Sequence, residues 1–283
     1  PNFVQKMQEM NLSNTIFVDN TASEEVSTFY ESILESSISI STPNKIATSS
    51  SYLQYERLKT IAKKRGVRFL YETNVGAGLP VITPHNDLIN SGDRILKIEG
   101  VLSGSLSFIF NSFQEGTRFS AIVREAKERG YTEPDPRTDL NGIDVRRKLI
   151  ILARETGLKI DAGDVVIENV LPPACQEAAD VPAFFEAIQA ADELFEQRRA
   201  EAAAQGGVLR MIAKLENGSA KIKLQAVDRK HPFYTLSGSD NMIVFTTERY
   251  KERPLVIRGP GAGAEVTAAG LFAEIITIGN FLN

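Results

Sequence analysis

The grammar of this sequence changes near residue 75. Before it, short apolar runs alternate with helical stretches. Residues 16–21 read as a strand, Ser23 to about Glu35 as a helix, 38–42 as a strand, Pro43-Asn44 as a turn, 52–65 as a helix stopped by Gly66, and 67–71 as a third strand. Strands that each hand over to a helix pair as parallel neighbours, so the pattern predicts parallel α/β structure over the first 75 residues. In such sheets ligands sit beyond the carboxyl ends of the strands, which puts Asn20, Thr21, Thr42 and Lys45 at a candidate site.

After residue 75 the pattern predicts α+β structure. A Gly-rich turn, Val75 to Pro80, leads to a helix through Asn90, a strand at 94–101, helices at 105–116 and 119–129, a turn-rich stretch from Gly130 to Gly142, and a helix over about 142–156. Residues 181–205 read as one long helix with Phe184, Ile188, Ala191 and Phe195 as its core stripe. Segments 208–215 and 220–227 flank Asn217-Gly218, and 242–249 and 254–258 flank Lys251-Glu252-Arg253, so both pairs read as antiparallel hairpins. Leu209, Met211, Ala213 and Leu215 alternate with polar neighbours, which predicts an apolar sheet face that a single helix layer does not cover. The chain closes with Gly259-Pro-Gly-Ala-Gly263 and a helix from about Val266.

Composition removes several classes of function. Lys plus Arg number 32 against 36 Asp plus Glu, a net charge of −4, and nucleic acid is not an expected partner. No apolar run approaches the ~18 residues that span a bilayer, and no membrane association is expected. The single Cys175 rules out an internal disulfide and fits a reducing, cytoplasmic location, while two isolated histidines, His85 and His231, match no Cys/His zinc pattern. Catalysis must then rest on Lys, Asp, Glu, hydroxyls and backbone.

Three Gly-rich or acidic segments carry chemistry. The Gly259 to Gly263 loop lies between strand and helix but lacks the third glycine, the following strand and the acidic residue of a dinucleotide fingerprint, so it reads as a tight turn starting a helix. Gly76 and Gly78 free a turn whose alternate carbonyls could converge on a cation near Glu72, but on the residues alone a plain strand-to-helix turn is the favoured reading. In Tyr131–Lys148 two prolines stiffen the loop around Glu133 and Asp135, and Asp144 and Lys148 share one face of the following helix. That pairing is either an ordinary i,i+4 ion pair or a site that holds a substrate ammonium on carboxylates and gives Lys148 a polar pocket for proton transfer. Ser103-Gly-Ser-Leu-Ser107 opens a helix, either as a plain N-cap or as a seat for polar or anionic groups.

Val18-Asp-Asn-Thr21, Thr42-Pro-Asn-Lys45, Glu72–Pro80, Gly100–Ser107, Gly130–Pro136, Asn141–Lys148 and Val266-Thr-Ala-Ala-Gly270, in that order, resemble the homoserine dehydrogenases over essentially the whole chain. The resemblance is closest to the dehydrogenase portion of bifunctional aspartokinase/homoserine dehydrogenases. It implies a Rossmann-type cofactor domain, here partial (1–75, completed by 259–283), and a catalytic and dimerisation domain (76–258) on an antiparallel sheet. It implies reduction of L-aspartate 4-semialdehyde to L-homoserine with NADP(H) or NAD(H), on the route to threonine and methionine. Lys148 matches the proton donor and Lys45 a second essential lysine; Glu133, Asp144 and Asp139 match substrate-binding positions. Thr21, Pro43, Lys45, Gly130, Glu133 and Gly263 match cofactor contacts. Glu72 with the Val75, Ala77 and Leu79 carbonyls matches a monovalent cation site, usually sodium. A homodimer or higher homo-oligomer and an upstream aspartokinase domain in the same polypeptide are implied as partners.

Two positions depart from the family. Thr138 stands where Asp is common, leaving Asp139, and Arg146 replaces a common Ala at a position that points away from Asp144 and Lys148. The family's first strand and Gly-rich phosphate loop are expected ahead of Pro1, so the 16–71 sheet is expected to lack a central strand. A second function class, a non-catalytic folding and dimerisation module, therefore stands beside the dehydrogenase for these 283 residues.

Overall fold

The computed structural model describes residues 2–282. In the first region α1 (Asn2–Met10) precedes β1 (Ile16–Val18), α2 (Glu24–Thr28) and α3 (Tyr30–Glu35) lead to β2 (Ser39–Ser41), and α4 (Lys45–Ser49) and α5 (Tyr52–Arg65) lead to β3 (Phe69–Leu70). The three strands are parallel neighbours, with Ile16 opposite Ser39 and Ile40 opposite Phe69. The ends of α5 follow local chemistry: the Ser51 hydroxyl accepts from Gln54 N, and Gly66, at φ +68°, supplies the left-handed residue that closes it. The expected helix after Ser23 is two pieces broken at Phe29, and α1 was not expected; it lays Phe3 against Phe17, 6.4 Å between ring centroids.

The second region contains α6 (Ile82–Asn90), β4 (Ile95–Val101), α7 (Gly104–Ser112), α8 (Phe119–Glu128), α9 (Arg137–Leu140), α10 (Ile143–Glu155), β5 (Val165–Ile167), α11 (Pro173–Gln176), α12 (Val181–Ala190) and α13 (Asp192–Ala204). The hairpins β6 (Val208–Glu216)–β7 (Ser219–Val227) and β8 (Asp240–Thr247)–β9 (Leu255–Pro260) form as expected, and α14 (Ala264–Leu282) ends the chain. The sheet order is β5-β7-β6-β4-β8-β9. It is antiparallel except at β5, an unexpected strand of three residues that pairs parallel to β7.

Two expectations about packing are corrected. The 181–205 helix turns at Ala191, because Asp192 is drawn across to cap α8, accepting from Ser120 N at 2.8 Å and Ser120 Oγ at 2.7 Å. This turn stacks Phe195 on Phe119, with centroids 3.8 Å apart. The face formed by Leu209, Met211, Ala213 and Leu215 is buried within the chain, against the same core as α7, α10 and α13. The centre of the opposite face, Val101, Ile212, Met242 and Val244, is covered by Phe233 and Leu236 of the β7–β8 connection. Buried Arg210 straps that connection down by donating to the carbonyls of Phe233, Tyr234 and Leu236.

The last helix also differs from expectation, since α14 is long and apolar enough, by length and composition, to cross a membrane. It lies along the first sheet instead, burying Leu271, Glu274 and Ile278. The Glu274 carboxylate accepts from the Ser41 hydroxyl on β2 and from Glu72 N at 2.5 Å. Closer to its start, a Cβ on Gly78 would fall 2.3 Å from the Val266 carbonyl oxygen, so the Gly76–Leu79 turn meets α14 backbone to backbone.

Candidate active site

Two regions of the chain meet over a cleft of about 590 Å³. Its walls are the start of α4, the first two turns of α10, the 130–139 loop, the N-terminus of α7 and the 261–263 loop, and it gathers Lys45, Gly130, Glu133, Asp139, Asp144, Lys148 and Gly263 in one space. Thr21 and Pro43 follow the ends of β1 and β2 and are not among its lining residues.

The helical spacing of Asp144 and Lys148 brings them together as read, with Lys148 Nζ 2.9 Å from Asp144 Oδ2. Lys148 is buried, 8% exposed, and donates to the Leu102 carbonyl at 2.7 Å where β4 gives way to α7. Lys45 reaches the other carboxylate oxygen from α4, at 3.4 Å. Burial opposes charge on Asp144, but the ammonium groups of Lys148 and Lys45 outweigh it and hold the carboxyl at about 2. Burial pushes Lys45 below its usual range, only partly offset by Asp144. The carboxylate bridging two lysines is thus ionised, and one of those lysines is biased toward losing its proton.

α4 is short, and its start is held by the loop in front of it. Asn44 caps it by accepting from Ile46 N, and donates to Asp19 Oδ2 at 3.1 Å and Ser23 O at 2.9 Å. Asp19 also accepts from Thr21 N, Thr21 Oγ1 and the Tyr30 hydroxyl. This buried carboxylate, which the sequence reading passed over, orders both loops at the carboxyl edge of the first sheet.

Two acidic residues also carry structural loads that the sequence did not show. Asp139 has both oxygens engaged, accepting from Ser105 Oγ at 2.8 Å and Glu133 N at 2.9 Å, so it fixes the loop that presents Glu133. Burial pushes its carboxyl upward. The Glu72 carboxylate caps α6, accepting from Val81 N, Ile82 N, Thr83 N and the Thr83 hydroxyl. What the 75–79 turn offers a cation is therefore carbonyl oxygen, with φ positive at Gly76 and Ala77.

The α7 start behaves as a cap, Ser103 Oγ accepting from Leu106 N, while Ser103, Gly104 and Ser105 also line the cleft. Residues the sequence reading did not single out are Tyr131, Arg147, Ser239 and Ala262 on the walls. Asn241 lies just below: it is fully buried, with neither amide atom partnered among the described residues, and a Cβ on Gly261 would fall 2.0 Å from it.

Residues 80–276 match the family model described as homoserine dehydrogenase, and residues 1–72 the model described as homoserine dehydrogenase, NAD binding domain. The chain belongs to the homoserine dehydrogenase family. It is 44% identical over 271 residues to the homoserine dehydrogenase of Schizosaccharomyces pombe, covering 93% of this chain and 72% of that one. It is 46% identical over 272 residues to a chloroplastic bifunctional aspartokinase/homoserine dehydrogenase of Zea mays, covering 95% of this chain but only 30% of that protein's length. A Candida auris protein of unknown function superposes with a TM-score of 0.94 at 38% identity, covering 99% of this chain and 80% of that one. A hyperthermophilic archaeal homoserine dehydrogenase solved in complex with NADPH superposes with a TM-score of 0.72 at 26% identity, over 96% of this chain and 74% of that one. Within the family fold, the α/β region and the antiparallel-sheet region correspond to the two architectures read from the sequence.

Proposed function

We propose that the polypeptide carrying this chain reduces L-aspartate 4-semialdehyde to L-homoserine, reversibly, with NADPH or NADH. The observation that carries the reading is the ammonium of Lys148, buried at the floor of the cleft and aimed by Asp144 and the Leu102 carbonyl. A nicotinamide dinucleotide, when bound, supplies the hydride. Lys148 then gives its proton to the carbonyl oxygen as that oxygen becomes an alkoxide, and in the reverse direction takes it back. Asp144 and Glu133 hold the substrate ammonium on two sides, and amides and hydroxyls at the start of α7 receive its carboxylate. Lys45 supports the charge on Asp144 and adds positive potential over the reacting oxygen.

The cofactor-holding residues in this reading are Thr21, Pro43, Lys45, Gly130, Glu133 and Gly263. Their fit rests on Lys45, Gly130, Glu133 and Gly263 lining one cleft, whose 261–263 wall is seated close on buried Asn241 because Gly261 carries no side chain. A sodium-like monovalent cation on the Val75, Ala77 and Leu79 carbonyls, beside Glu72, belongs to the same proposal. So do a homodimer or higher homo-oligomer, a fused upstream aspartokinase domain and a cytoplasmic location, the last favoured by one buried free thiol at Cys175.

The test is semialdehyde-dependent oxidation of NADPH by the full-length protein and its Lys148→Ala variant. Turnover is expected to fall by roughly 100- to 10,000-fold with the circular dichroism spectrum unchanged. Near-normal turnover removes Lys148 from the chemistry, and an inactive parent leaves the chain a folding and dimerisation module.

A further inference from the structure

Ten residues beyond Asp144, α10 carries a second buried cation. The Arg154 side chain has no solvent exposure. It donates to the Thr48 carbonyl at 2.7 Å and the Ser50 carbonyl at 2.6 Å, where α4 runs out into α5. Its remaining bonds go to the Ile160 carbonyl and to Asp161 Oδ1 at 3.0 Å. The same Asp161 oxygen accepts from Tyr52 N at 2.7 Å, capping the start of α5. Arg154 and Asp161 thus grip the α4–α5 junction from the other region of the chain.

The two ends of α4 are therefore held by different partners of one helix. At its start Lys45 meets Asp144; at its end Thr48 and Ser50 meet Arg154. Asp144 and Arg154 are about 15 Å apart along α10, so α4 runs beside α10 in the same sense, fixed at two points. A slip of α4 by one residue is about 1.5 Å, enough to break the 3.4 Å approach of Lys45 to Asp144. α4 has five residues and cannot hold its own axis without such anchors.

We propose that Arg154 is a positioning residue for Lys45: by fastening the carboxyl end of α4 to α10 it sets the register that lets Lys45 share the Asp144 carboxylate with Lys148. The planar fork of a guanidinium suits the task, because one side chain reaches carbonyls on two segments at once, which a lysine ammonium cannot do in the same plane. The role rests on the dehydrogenase reading of the cleft, and it gives a purpose to a buried cation that touches none of the cleft-lining residues.

A double-mutant cycle in the full-length protein separates positioning from support of the fold. Arg154→Gln is expected to lower kcat by at least about 10-fold in the wild-type background, since sub-ångström to ångström misplacement of a reacting group carries penalties of that order. In a Lys45→Met background, where there is no ammonium left to place, the same substitution is expected to change kcat by less than about 2-fold. An equal fold-loss in both backgrounds overturns the proposal. Arg154→Lys and Asp161→Asn carry the same cycle should Arg154→Gln fail to fold.

The second readout needs no turnover: the titration of Lys45, followed by NMR of labelled lysine with Asp144, Lys148 and Arg147 as its charged neighbours. Freed from α10 and exposed to water, Lys45 is expected to move back up toward 10.5 in the Arg154 variants, and an unchanged titration overturns the proposal. A wild-type protein that oxidises no NADPH refutes the functional reading, and the lysine titration still decides the role of Arg154.

Discussion

Replacing Glu274 by Gln should stabilise the protein at alkaline pH and leave it unchanged in mild acid. Glu274 hangs from α14 into the first sheet, 5% exposed, with the Ser41 hydroxyl and Glu72 N as partners and no ion pair to a cation among the described residues. Burial, with the nearby Glu72 charge adding to it, pushes its carboxyl up to about 7 from an ordinary 4.5. Below pH 4.5 the group is protonated whether the chain is folded or not. Between 4.5 and 7 the folded chain keeps a proton that the unfolded chain has released, so every pH unit removes about 1.4 kcal/mol of stability. The loss is complete above about pH 7 and amounts to some 3 kcal/mol at that slope over the interval, an order-of-magnitude figure. Gln has the shape of the protonated acid, can accept from Glu72 N and donate to the Ser41 oxygen, and has no proton to lose. Urea unfolding of both proteins from pH 5 to pH 8.5 provides the comparison. The curves should nearly coincide at pH 5 and separate steadily to the variant's advantage by pH 8. Parallel pH profiles, or a variant that is weaker at pH 8, would refute the argument that burial of an uncompensated carboxylate governs this joint.

Asp144→Ala should raise KM for the amino-aldehyde and lower turnover together, because it removes one hold on the substrate ammonium and leaves Lys45 and Lys148 facing each other; an unchanged KM in steady-state kinetics makes Asp144 a helix ion-pair partner only. Glu99 is buried, yet His231 and Lys97 outweigh burial and hold its carboxyl at about 2, so its stabilisation is present above pH 4.5 and lost as pH falls through 2. Glu99→Gln should flatten that acid limb in denaturant unfolding between pH 5 and pH 2, and an equally steep limb in the variant contradicts the assignment. Gly261→Ala puts a Cβ 2.0 Å from the Asn241 amide, which forces the 261–263 loop outward. Calorimetry with NADPH on the full-length variant should show affinity weakened by roughly 10-fold, a loss in the range typical of overpacking, and wild-type affinity there would mean the loop does not bear on the cofactor.

What was legible in the sequence was what neighbours in sequence decide. Gly66 stops α5, Asn217-Gly218 closes the β6–β7 hairpin, and the four-residue spacing of Asp144 and Lys148 gives their contact directly. The ordered motifs then identified the family and gathered most of the cleft. Distance along the chain hid the rest. The turn at Ala191 is imposed by Ser120, 72 residues before Asp192, and no periodicity in 181–205 announces it. The covering of the Leu209–Leu215 face depends on where α7, α10 and α13 pack, which alternation within one strand cannot say. Glu72 and Asp139 were recognised as acids near the site, but whether an acid faces a ligand or caps a backbone is settled by partners that arrive from elsewhere. Lys148 needed a carbonyl, Leu102 O, and carbonyls carry no mark in a sequence.

The joint between Ser41 and Glu274 spans 233 residues of chain, nearly the whole length described. β1, β2 and β3 can find one another early through short crossovers, but the helix that lies along them follows all of the antiparallel sheet in the chain. Closing so long a loop costs chain entropy that only a finished antiparallel sheet, holding the intervening residues compact, can reduce. The connectivity therefore favours an order in which the antiparallel sheet forms before α14 closes onto the first sheet.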